Sequence, residues 1–186
     1  MQKCYTIIHM HTTQHLPEAM PSIEKRTLLV VCDTHQALFY DVGGHTITLQ
    51  GTVESPKEHY SDHETRIQSP SAGGRGGMVS STAEPEQTEN NRLNHFANMI
   101  FEHARKTVES QGIQEVYLSA PNKMLGVLRQ HMPKAMQAIV KDMMEGNVVH
   151  ESSVTVLARF RPDLQASLQA LRDMENYSPK NQPPKK

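Results

Sequence analysis

Apolar positions follow two rhythms along this chain. Thr27-Leu28-Leu29-Val30-Val31-Cys32 is a continuous run rich in β-branched residues, closed by Asp33-Thr34-His35. A short unbroken run of this kind predicts a central strand buried on both faces, and the polar triplet predicts a turn. Gln36–Val42 predicts a second strand, Gly43-Gly44 a tight hairpin, and the period-two stretch His45–Val53 a third strand. These three strands form an antiparallel meander. The rhythm then becomes helical: Leu93, Phe96, Ala97, Ile100, Phe101, Ala104 and Val108 share one face of a helix that begins near Pro85 and stops at Gly112. Glu115–Ala120 predicts another strand. Pro121-Asn122 opens a helix carrying Met124, Leu125, Leu128 and Met132, and Pro133 ends it. Ala138-Ile139-Val140 reads as a last short strand or as a continuation of helix from Lys134. Val148–Arg159 and Asp163–Met174 complete the helical segments.

The intervals without rhythm set the domain organisation. Residues 1–26 read as an irregular extension, 27–160 as the α/β domain, 161–175 as a C-terminal helix and 176–186 as a disordered tail. Residues 54–86 form a loop longer than the roughly 12–15 residues beyond which loops are usually functional or disordered. The expected fold is a single α/β domain. Its mixed sheet starts with the meander, and helices pack on the sheet.

Composition narrows the classes. The chain has 186 residues, 37% of them apolar, and a formal net charge of -1. Its mean hydropathy is -0.58. No apolar run approaches the roughly 20 residues of a membrane span, and the N-terminus lacks the pattern of a secretory signal. With Cys4 and Cys32 as its two cysteines, the chain reads as cytoplasmic, with Cys32 a buried thiol. A near-zero charge gives no overall pull towards nucleic acid, so any such contact needs a local patch.

Four groups of residues carry candidate chemistry. The first is Ser71-Ala72-Gly73-Gly74-Arg75-Gly76-Gly77-Met78, just before the long helix. Glycines let backbone N–H groups approach a ligand closely. The second is the stretch 121–141, which holds Lys123, Arg129, Lys134 and Lys141, with His131, and contains no acid. Arg66 and Arg75 extend the basic set. The third is histidine: His9, His11 and His15 cluster, and so do His59, Asp62 and His63. Both clusters fall in segments read as irregular, where nothing fixes a ligand geometry, so no metal or other cofactor is expected. The fourth is the carboxylates Asp33, Asp41, Glu115 and Asp142 near strand ends; Asp33 and Asp41 read as caps of meander turns. Gly126 costs about 1 kcal/mol against Ala inside a helix, which reads as close packing against a neighbour.

The segment Gly74-Arg75-Gly76-Gly77 before a helix resembles the tip of the middle domain of eukaryotic-type peptide-chain release factors. There a glutamine follows the glycine pair; here Met78 stands in its place, and a thioether donates no hydrogen bond. A second resemblance covers roughly residues 27–160. Ala120-Pro121-Asn122-Lys123-Met124-Leu125-Gly126-Val127-Leu128-Arg129, with Asp33, Ala37, Phe39, Tyr40, Phe96-Ala97 and Lys141-Asp142-Met143, resembles the bacterial host-attachment protein family. That family is regarded as a bacterial branch of the release-factor middle-domain superfamily.

Together the resemblances imply a ribosome- or RNA-associated factor of translation stress, rescue or hibernation. Gly74, Arg75, Gly76, Gly77, Met78, Arg66, Lys123, Arg129, Lys134 and Lys141 would contact rRNA or tRNA. No catalytic residue is assigned and no membrane partner is expected. Two alternatives stay open: a non-enzymatic interaction protein linked to host-cell attachment, and a peptidyl-tRNA or RNA hydrolase.

Overall fold

The computed structural model describes residues 12–56 and 83–176. The elements run β1 (Thr13–His15), β2 (Ile23–Cys32), β3 (Gln36–Gly44), β4 (Thr46–Glu54), α1 (Ala83–Gln111), β5 (Glu115–Ala120), α2 (Asn122–His131), α3 (Lys134–Gln137), β6 (Val140–Glu145), α4 (Ser153–Phe160) and α5 (Pro162–Asn176). One six-stranded sheet has the order β1-β4-β3-β2-β5-β6. β2, β5 and β6 are mutually parallel, whereas β3 is antiparallel to both β2 and β4. The fold is therefore the mixed α/β sheet that the sequence predicts, opened by the expected meander.

The central strands are apolar on both faces because helices cover both. Leu28, Val30 and Cys32 of β2, with Val116, Leu118 and Ala120 of β5, pack under α1 and α2. Leu29, Val31 and Tyr117 face the other way, towards Val156, Leu157, Phe160 and Leu164 of α4 and α5. There Tyr117 and Phe160 stack with ring centroids 5.0 Å apart. Leu93, Phe96, Ala97, Ile100, Phe101 and Ala104 of α1 are all buried, as the helical spacing predicts. The chain leaves α1 through Gly112 at φ 66, a left-handed conformation that only glycine adopts without steric cost.

Three boundaries differ from the sequence reading. The sheet begins before Thr27: β1 lies within the segment read as irregular, and Leu16, Met20 and Ile23 are buried in the second core. Residues 134–140 resolve into both readings, a one-turn helix Lys134–Gln137 and then β6 from Val140. α4 starts at Ser153, not Val148, because Ser152 caps it by accepting the Thr155 N–H at 3.2 Å.

One irregularity inside β4 redirects side chains. Phe39 pairs with Gly51 but Tyr40 pairs with Leu49, so Gln50 is an extra residue. Such a bulge shifts the strand by one residue and exchanges its faces. Ile47 therefore lies in the core under α4 and α5, and Val53 in the core under α1. The period-two pattern of 45–53 had placed both on one face.

Candidate functional site

In open α/β sheets the crevice beyond the carboxyl ends of the parallel strands is the usual place for ligands. Here it lies where β2 and β5 end side by side, and four segments meet at it. The turn after β2 is held by Asp33, whose Oδ1 accepts the N–H groups of His35 at 2.6 Å and Gln36 at 2.8 Å. Asp33 is thus the turn-former the sequence predicts. Ser55, just past β4, donates its N–H to the His35 carbonyl at 2.6 Å. From α1, Arg92 reaches across and donates to the Thr34 carbonyl at 2.8 Å and to Ser55 Oγ at 2.6 Å. From the first turn of α2, Lys123 pairs with Glu89 of α1 at 2.8 Å. That ammonium holds the Glu89 carboxyl below its ordinary range.

The crevice is thus a clamp. Arg92, Ser55 and Glu89 had no signal in the sequence, because each is defined by a partner more than thirty residues away. The hydrophilic face of α1 carries no motif that separates them from its other polar residues.

The basic stretch changes character in three dimensions. Lys123 is matched by Glu89, and Lys141 lies 3.8 Å from Glu115. Glu115 is buried at the start of β5 and also takes Lys25 at 2.8 Å. A segment without acids in sequence therefore has acids beside two of its four cations. Arg129 and Lys134 remain exposed and form no ion pair with a described residue. Gly74, Arg75, Gly76, Gly77, Met78 and Arg66 lie outside the described residues, as do His9, His11, His59, Asp62 and His63. His15 is exposed on β1. Among the described residues, no three His, Cys, Asp or Glu side chains gather where they could hold a metal ion.

Two local expectations are corrected. Asp41 does not cap a turn. It is buried and takes Arg26 through two hydrogen bonds, Nε at 3.1 Å and an Nη at 2.6 Å, and the same Arg26 also donates to Gln111 at the end of α1. Gly126 is not a packing contact: it is exposed on α2, and a Cβ there would meet nothing within 4 Å. Cys32 is buried as expected, and desolvation, followed by the charge of Asp33, pushes its thiol up to about 12. Asp142, on the edge strand β6, accepts the N–H of Met143 at 2.7 Å. The four carboxylates named from sequence are thus engaged separately and do not converge.

Fold and site together define a single α/β domain, with helices on both faces of a mixed sheet and a polar clamp at the carboxyl ends of β2 and β5. The chain belongs to the family described as "Protein required for attachment to host cells", whose sequence model matches residues 28–159, well over half of its length. No curated protein matches the chain. The family match overturns the reading as a ribosome- or RNA-associated factor, since what it describes is attachment to host cells. The glycine-loop resemblance misdirected that reading by giving a short, low-complexity segment more weight than a match spread over the whole core.

Proposed function

We propose that this chain is an interaction protein of host-cell attachment, working by binding a partner. The family match over residues 28–159 carries the reading. The clamp supports it: Asp33, Arg92, Lys123 and Glu89 are committed to joining segments of the domain. The surface we assign to the partner is the α2–α3 side, where exposed Arg129 and Lys134 suit an acidic protein face. Among the described residues no helix is long and apolar enough to cross a membrane. A cytoplasmic location, with attachment reached through that partner, is part of the proposal.

The test is deletion and complementation. Cells lacking the chain should adhere poorly to host cells, and the wild-type chain should restore adhesion. A chain with Arg129→Glu and Lys134→Glu should restore it only weakly while folding normally by circular dichroism. Undiminished adhesion in the deletion strain would end the proposal. Protease shaving of intact cells checks the location; the cytoplasmic placement expects protection. Kinship of the fold with release-factor middle domains is also a proposal. Finding the strand order β4-β3-β2-β5-β6 in those domains supports it, and a different order there removes it.

A further inference from the structure

On the face away from the long helix, the amino end of α4 stands over strands β1, β4 and β3. A cleft of about 230 Å³ lies between them. Its wall is formed by Tyr40 of β3 and by Ile47 and Leu49 of β4. Leu49 shares the wall with Ile47 because both precede the Gln50 bulge. The remaining lining is polar: Thr12 just before β1, Gln14 on β1, and Glu151, Ser152 and Ser153 at the start of α4.

We propose that this cleft binds one neutral polyhydroxylated ring, a single sugar unit. Three observations point to that chemistry. First, the lining is amphipathic. A sugar ring presents C–H groups on its faces and hydroxyls at its edge, and an aromatic and aliphatic wall beside polar groups matches both. Second, the polar groups are neutral or neutralised. Glu151 is held by an Nη of Arg159 at 2.8 and 2.6 Å, so its charge is balanced while its oxygens still accept. Third, donors are left over. Ser153 Oγ donates to Gln14 Oε1 at 2.7 Å, which fixes that amide and leaves its N–H₂ without a partner among the described residues. The Tyr40 hydroxyl likewise has no described partner, although burial raises its pKa. The size selects one ring, because 230 Å³ is below the roughly 300–1,000 Å³ of sites for drug-sized ligands.

The ring can come from a free monosaccharide or from the end of a glycan. The experiment separates them. Saturation-transfer NMR on the full chain would use glucose, galactose, mannose, N-acetylglucosamine and inositol as probes, and a glycan array would supply the chain-end form. Binding to at least one probe is expected, with little change between about 50 and 500 mM salt, since no net charge is exchanged. Leu49→Trp, which fills the cleft from a half-buried position, should weaken binding at least tenfold. Tyr40→Phe keeps the wall and removes the hydroxyl, and should weaken it several-fold. Binding to array glycans without binding to free sugars assigns the chain-end source; binding to free sugars alone assigns the monosaccharide. No binding to any probe or glycan overturns the proposal. So does binding that survives Leu49→Trp unchanged in a variant that circular dichroism shows to be folded. The attachment reading fails by a different measurement, adhesion of the deletion strain.

Discussion

At the scale of single residues, burial decides which polar groups have chemistry left. Cys32 is fully enclosed and its thiol is pushed up to about 12, so almost no thiolate exists at neutral pH. In a Cys4→Ser chain, a thiol reagent at pH 8 should therefore leave Cys32 unmodified until denaturant is added. Rapid labelling of the native protein would show that the site opens readily. Asp41 makes the opposite case, a buried carboxylate whose two oxygens are both taken by one guanidinium. Its side chain is 11% exposed and that of Arg26 is 46%. A pair between the buried and surface limits is worth an intermediate amount, so Asp41→Asn should cost about 2 kcal/mol in urea unfolding. An unchanged midpoint would mean that the pair contributes nothing. Neither the pair nor its third member, Gln111, was legible in the sequence. Asp41 sits where a strand-end aspartate usually caps a turn; the pairing of β2 with β3 brings Arg26 to it, and the packing of α1 adds Gln111.

At the scale of elements, two glycines in similar-looking helical positions behave differently. Gly112 ends α1 with φ 66, whereas Gly126 sits inside α2 with open space around it. Gly112→Ala should destabilise by about 1 kcal/mol because an L-residue pays to enter the left-handed region. Gly126→Ala should stabilise by up to about 1 kcal/mol through helix propensity alone. Thermal melts of the two single variants check the contrast, and a loss at Gly126 would restore the close-packing reading. The helices and strands themselves were largely readable, since a buried face imposes its period directly on the sequence. β1 was not, because a three-residue edge strand is too short to show a period. The bulge at Gln50 was not, because Ile47, Leu49 and Val53 keep the even spacing of a single strand face in sequence while the extra residue divides them between two faces.

At the scale of the whole molecule, ion pairs within and between elements give stability a pH dependence of defined sign. Lys123 lowers the Glu89 pKa, Lys106 lowers that of Glu102, and Arg161 lowers that of Asp163. A carboxyl whose folded pKa lies below its unfolded value stabilises the fold above the unfolded value. That contribution is lost as pH falls through the folded one. Lys25 has the reverse sign: hydrogen bonding to Glu115 raises its pKa, so its contribution holds below its unfolded value near 10.5 and disappears as pH rises through the folded value. The melting temperature should thus be nearly flat between about pH 5 and 10 with respect to these groups, and should fall at both ends. Lys123→Gln should shrink the acid-side loss. An identical acid limb in that variant would show that the Lys123–Glu89 pair, exposed as it is, adds no stability.

The sequence by itself determined the order of the main elements from β2 onward, the central strands, the buried face of α1 and the capping glycine. Each of these is written in local periodicity or in residues that need a particular backbone conformation. The tertiary structure alone decided which charges face each other. It placed Glu89 on Lys123, Glu115 on Lys25 and Lys141, and Arg92 across the ends of β2 and β4. It also decided that Leu49 shares a cleft wall with Tyr40 instead of joining the core beneath α1. The physical reason is common to all of these. A side chain's periodicity depends on its own strand or helix, but its partner depends on how sheet and helices are stacked. That stacking brings together residues that no local pattern connects.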